Sequence, residues 1–194
     1  MRHGNPNQLS LFHYEMVPVK GTTYFIILSP IERVKEVVRA AKETLSNQIS
    51  LSVSNLRSIA HISLLKFTAP DDDERVGKQI KTMLSSFPAF DIVLGGSAIF
   101  KHGEQSKSLV LKIDNPGPIQ QLHMLLLTTF GLRSSKKITP HVTIARTIQN
   151  EDFAKIDLSA FNYRDAFPCQ EITVLKKAAG DRQYKICFKM SLCK

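Results

Sequence analysis

The 194-residue chain is long enough for one domain or for two small lobes that share a core. A hydrophobic content of 43% and a charged content of 22% exclude a disordered or collagen-like chain. Lysine and arginine number 26 against 17 acids, and the resulting charge of +9 favours a polyanionic partner such as nucleic acid, a nucleotide or an anionic membrane.

Residues 22–28 (TTYFIIL) are β-branched and aromatic and predict a strand. Ser29, Pro30 and Glu32 form a capping-box pattern, and Ile31, Val34, Val37, Val38, Ala41 and Leu45 then recur at helical spacing. Residues 61–67 (HISLLKF) predict a second strand. Pro70 and Asp71, Asp72 and Asp73 open another helix, with Val76, Ile80, Met83, Leu84 and Phe87 inward. The three acids suit the positive end of the helix dipole better than a metal site. Strand pieces at 90–94 and 98–100 are expected to break at Gly95-Gly96. Residues 108–113 (SLVLKI) predict a strand, 116–130 a helix, 141–146 (HVTIAR) a strand and 150–156 a short helix. Residues 171–176 and 183–189 flank a turn and predict a closing hairpin.

The halves match. Each runs strand, helix, then a strand that begins with histidine, and His61 and His141 lie 80 positions apart. The period is too long for a solenoid. It predicts an α+β fold of two similar lobes from an internal duplication, with a central cleft between them. No linker separates the halves. Residues 20–194 therefore read as a single bilobal domain, preceded by an N-terminal extension, 1–19.

Each repeat carries His-x-hydroxyl: His61-Ile62-Ser63 and His141-Val142-Thr143. Strand side chains alternate, so each imidazole shares a face with its hydroxyl, and Ile62, Leu64, Val142 and Ile144 turn to the core. Two imidazoles suit phosphodiester cleavage. One takes a proton from the attacking oxygen while the other gives one to the leaving oxygen. The hydroxyls donate to the non-bridging phosphate oxygens. One such motif is a common structural pattern. Two at matching places in a repeat, using two of only six histidines, are not.

These residues resemble the paired H-x-[ST]-x signatures of the 2H phosphoesterase superfamily, in its 2′-5′ RNA ligase-like branch. The resemblance spans roughly residues 22–189 and includes the closing hairpin with Tyr184. It implies mostly antiparallel sheets flanking the cleft, with His61 and His141 as the acid/base pair and Ser63 and Thr143 on the phosphate. It further implies metal-independent hydrolysis of 2′,3′-cyclic phosphates of RNA ends or nucleotides to 2′-phosphates, or reversible 2′-5′ RNA ligation. Ser63 stands where threonine is commoner in the family, and the hydroxyl chemistry survives that exchange.

Arg146 is a further candidate phosphate contact: strict alternation turns it, like Lys66, toward the core face, and a twist or bulge is needed to bring it to the cleft rim. His102 falls in a polar stretch, 101–107, and reads as solvated loop. His123 reads as a surface or packing residue within a helix. Phe12, Tyr14 and Tyr184 can stack a base but read first as core. His3 and His13 carry no pattern. Cys169, Cys187 and Cys193 lack disulfide or zinc spacing and fit a reducing cytoplasm. With no apolar run near the ~20 residues that cross a bilayer and no leader pattern at the start, a soluble cytoplasmic monomer is expected, with no cofactor and no membrane partner. The rival reading is a non-catalytic RNA- or nucleotide-binding module on the same scaffold. A metal-dependent phosphatase lacks the clustered Asp and His ligands it needs.

Overall fold

The computed structural model describes residues 21–134 and 137–193. The expected N-terminal extension lies outside the described residues, as do His3, Phe12, His13 and Tyr14.

In the first half, β1 (Thr22–Leu28) leads into α1 (Glu32–Ser46), the short α2 (Val53–Arg57) and β2 (Ile62–Ala69). A helix follows, α3 (Asp73–Leu84), and then a long strand, β3 (Phe90–His102). The second half repeats the order with β4 (Ser106–Ile113), α4 (Gly117–Thr129) and β5 (His141–Gln149). The short α5 (Asn150–Phe153), β6 (Arg164–Cys169), β7 (Glu171–Lys177) and β8 (Lys185–Ser191) complete the chain.

Two antiparallel sheets result, in strand orders β2-β1-β7-β8 and β5-β4-β3-β6. The closing hairpin, β7 and β8, extends the first sheet, and β3 with β6 extends the second. The two sheets therefore match strand for strand, and the two His strands are the matching edges. The helices exchange partners. α1, which links β1 to β2, packs on β5, and α4, which links β4 to β5, packs on β2. Val34, Val38 and Leu45 are the buried stripe of α1. Burying each stabilises the fold by about 1.5–3 kcal/mol. One apolar core results, drawn from both sheets.

Three local expectations are corrected. Ser29 and Glu32 form no capping box: α1 starts at Glu32, with Ile31 at the N-cap and no side-chain cap. Gly95-Gly96 does not end the strand. β3 runs through it, passing from β6 at Phe90–Gly95 to β4 at Ser97–His102. Glycine is required there, because a Cβ on Gly95 would stand 2.0 Å from Asp114 Oδ1 and Gly96 has φ +93°. His102 accordingly ends a strand rather than lying in a loop. The acids behave as expected of a helix start: Asp72 accepts the Arg75 N–H at 2.9 Å, and Asp73 pairs with Lys176 and Tyr24.

Candidate active site

Both His strands bulge at the same place. Across β1, Ile26 pairs with Leu65 but Ile27 pairs with Ser63, so Leu64 is an extra residue in β2. Across β4, Leu109 pairs with Ala145 but Val110 pairs with Thr143, so Ile144 is extra in β5. An inserted residue reverses the alternation beyond it. Leu64 and Leu65 are both buried, as are Ile144 and Ala145. Lys66 and Arg146, which strict alternation assigns to the core face, instead join the face of the histidines and hydroxyls. Beyond the bulge, Thr147 adopts φ 55°, a left-handed conformation that costs a β-branched residue about 1–3 kcal/mol.

His61, Ser63, His141, Thr143 and Arg146 line one cavity of about 300 Å³ between the lobes. All five candidates from the sequence therefore meet. The Nδ1 of His61 lies 2.8 Å from the Ile59 carbonyl, and the Nδ1 of His141 lies 2.8 Å from the Thr139 carbonyl. A carbonyl only accepts, so each Nδ1 carries the proton and donates it. Each Nε2 is left as the nitrogen that can meet a ligand. It accepts a proton when the ring is neutral and donates one when the ring is charged. Phe25 stands edge-on to His61, with ring centroids 5.5 Å apart, and Phe100 stands edge-on to His141 at 4.8 Å. These contacts fix both ring planes.

Burial is the main force holding the His61 imidazole below its ordinary pKa. The Ile59 hydrogen bond opposes the shift, and nearby Arg146, His141 and Lys42 reinforce it. Lys42 is itself buried. Its ammonium donates to the carbonyl and hydroxyl of Ser58, and burial lowers its pKa. Arg146 thus lines the cavity itself, and Lys42 acts on His61 from beside it.

The model of the 2′-5′ RNA ligase superfamily matches residues 25–181, well over half of the chain. The chain belongs to that superfamily. Its fold is similar to that of E. coli LigT, solved as a complex with 3′-AMP, at a TM-score of 0.65 and 13% identity over 90% of this chain and 99% of that one. TT0787 of Thermus thermophilus matches at a TM-score of 0.64 and 17% identity, over 88% of this chain and 97% of that one. A crystal structure described as a phosphoesterase matches at 0.65 and 14% identity, over 90% and 99%. No curated protein matches the chain in a sequence comparison.

The cavity also includes residues that the two His motifs do not mark. Asn55, Ser58, Ile59, Phe100, His102, Ser108 and Thr147 complete the lining. His102, expected in a solvated loop, bonds through Nε2 to the Ser108 hydroxyl at 2.7 Å. Tyr184, expected in the core, lies half-exposed beside Phe25, with ring centroids 5.7 Å apart, and Lys66 and Lys177 stand over its ring. His123 is buried within α4, as a packing residue should be. A larger cavity of about 750 Å³ lies along α4, walled by Phe87, Met124, Leu125 and Ile138. It is mostly apolar and holds neither site histidine, so chemistry outweighs size in locating the site.

Proposed function

We propose that this protein hydrolyses 2′,3′-cyclic phosphates, at RNA ends or on nucleotides, to 2′-phosphates by metal-independent two-histidine catalysis. The observation that carries the reading is the matched pair of Nδ1-to-carbonyl bonds, which turns both imidazoles into Nε2 acid/base groups at one cavity. A neutral Nε2 takes a proton from water as its oxygen attacks phosphorus. The bond from phosphorus to the 3′-oxygen breaks, and the second, charged Nε2 gives that oxygen its proton. The product is a 2′-phosphate with a free 3′-hydroxyl. If the 5′-hydroxyl of another RNA replaces water, the same proton transfers form a 2′-5′ bond.

Ser63, Thr143 and Arg146 donate to the non-bridging oxygens as charge grows there. A volume of about 300 Å³ is at the small end for a ligand site and suits a cyclic phosphate and its ribose. The base then lies on the open wall formed by Phe25 and Tyr184, between Lys66 and Lys177. The 3′-AMP held by E. coli LigT supports a nucleotide-sized substrate for this fold.

The test is turnover of a 2′,3′-cyclic mononucleotide and of an RNA ending in a 2′,3′-cyclic phosphate, with excess EDTA, followed by ³¹P NMR. A 2′-phosphate is the expected product. Tight binding without turnover makes the protein a non-catalytic binding module. Loss of turnover in EDTA makes it a metal enzyme.

A further inference from the structure

Each bulge that aims the site is held by a side chain from the other half of the chain. Asn55, on α2 of the first half, is 6% exposed. Its Nδ2 donates to the Arg146 carbonyl at 3.0 Å, and its Oδ1 accepts the Arg146 N–H at 3.0 Å. One amide thus occupies both backbone polar groups of the residue that the β5 bulge turns to the cavity. His123, on α4 of the second half, is also 6% exposed. Its Nδ1 donates to the Leu64 carbonyl at 2.8 Å, and Leu64 is the extra residue of the β2 bulge. The Nε2 of His123 is buried with no hydrogen-bond partner among the described residues. Burying a ring nitrogen without a partner is unfavourable, so the single bond to Leu64 is the polar interaction that accounts for histidine at this position.

We propose that Asn55 and His123 are reciprocal positioning residues: each half of the chain sets the bulge, and so the aim of the site groups, on the other half's His strand. Asn55 fixes Arg146, and His123 fixes the turn of the strand just after Ser63. Neither residue exchanges protons with substrate. A bulged strand has a competing register in which the extra residue slides out, and that register returns Arg146 and Lys66 to the core face. Each clamp bonds the bulged backbone only in the observed register. Misplacement by about 1 Å is enough to cost a site ~10²-fold in rate.

This inference rests on the proposed role of Arg146, so its test has one arm that needs no turnover. In Asn55→Ala, the Arg146 amide should lose most of its protection from hydrogen exchange while the β1 amides keep theirs. Asn55→Asp keeps the acceptor, sets a carboxylate against the Arg146 carbonyl, and should restore the amide's protection only in part. On a 2′,3′-cyclic nucleotide, Asn55→Ala should lower kcat by about 10–10²-fold with little change in KM. In an Arg146→Ala background the same change should cost less than about threefold, because its route of action is already gone. His123→Asn keeps a donor at the place of Nδ1 and should retain near-normal kcat, whereas His123→Leu, with the donor removed, should lose activity while staying folded. Unchanged Arg146 protection, additive losses in the double variant, or equal activities for His123→Asn and His123→Leu would each overturn the proposal. A wild-type protein without turnover would instead count against the hydrolase reading, and hydrogen exchange would still decide the Asn55 clamp.

Discussion

Lys66 and Arg146 are counterparts: each is the fifth residue after its histidine, and each is turned outward by a bulge two residues earlier. Their surroundings differ. Arg146 lines the cavity with both histidines, while Lys66 stands 5.8 Å from the centre of the Tyr184 ring. Register explains the difference, because Lys66 pairs across its sheet with Phe25, and the residue of β4 that matches Phe25 is Ser108. Lys66 thus stands among the Phe25 and Tyr184 rings, whereas the matching place beside Arg146 holds the Ser108 hydroxyl. Arg146→Ala should therefore lower kcat by ~10²-fold or more, since it removes a cation from the reacting phosphate. Lys66→Ala should raise KM for a nucleotide several-fold and leave kcat nearly unchanged. Steady-state kinetics on one cyclic nucleotide separates the two.

His61→Ala or His141→Ala should each cost at least ~10²-fold in kcat/KM, the low end for losing a positioned acid or base. The wild-type rate should rise and fall with pH, because one ring must be neutral and the other charged. A double variant with wild-type turnover would put the chemistry elsewhere.

The protonation of His61 itself can be followed by NMR. In the free protein it should titrate below the ordinary imidazole value of about 6.5, because burial and the cations around it disfavour the charged ring. Inorganic phosphate in the cavity adds negative charge and should move the midpoint up. Lys42→Met removes one nearby cation and should also move it up, in the free protein. The linkage sign follows. The folded state favours neutral His61, so this group's stabilising contribution is present above about pH 6.5 and is lost as pH falls through its lowered folded value. On the acid side of neutrality the wild type should therefore lose melting temperature relative to His61→Gln, whose amide does not titrate.

Ser63→Ala and Thr143→Val each remove a hydroxyl and little apolar volume. Each should cost about 1–3 kcal/mol in transition-state binding, expressed more in kcat than in KM, with the melting temperature nearly unchanged. Unchanged kinetics with a lower melting temperature would make both hydroxyls structural.

Much of this site was legible because period-two alternation is a local property. It placed His61 with Ser63 and His141 with Thr143, and the repeat placed the two pairs in equivalent strands. A bulge enters the sequence reading only as one way for Arg146 to reach the cleft, with no position fixed for it, although a signal is present. Leu64-Leu65 before Lys66, and Ile144-Ala145 before Arg146, put two apolar neighbours where strict alternation allows one. Asn55 and His123 carry no such mark. Their roles depend on α2 meeting β5 and on α4 meeting β2, contacts that no periodicity encodes. No element is expected at Arg164–Cys169, where Pro168 weakens the strand pattern, yet the segment forms the edge strand β6, where a missing N–H is tolerated.

The exchange of helices between halves also bears on how the chain is made. In β1, Phe25 must find Leu175 of β7, 150 positions further on, before the first sheet is complete. Until α4 has emerged from the ribosome, β2 lacks the helix that covers it, and until β7 has followed, β1 has an unpaired edge. Such an edge is a template for joining other chains. Contacts this distant in sequence also form slowly. Synthesis therefore passes through a long interval in which the N-terminal half is complete as sequence but unfinished as structure.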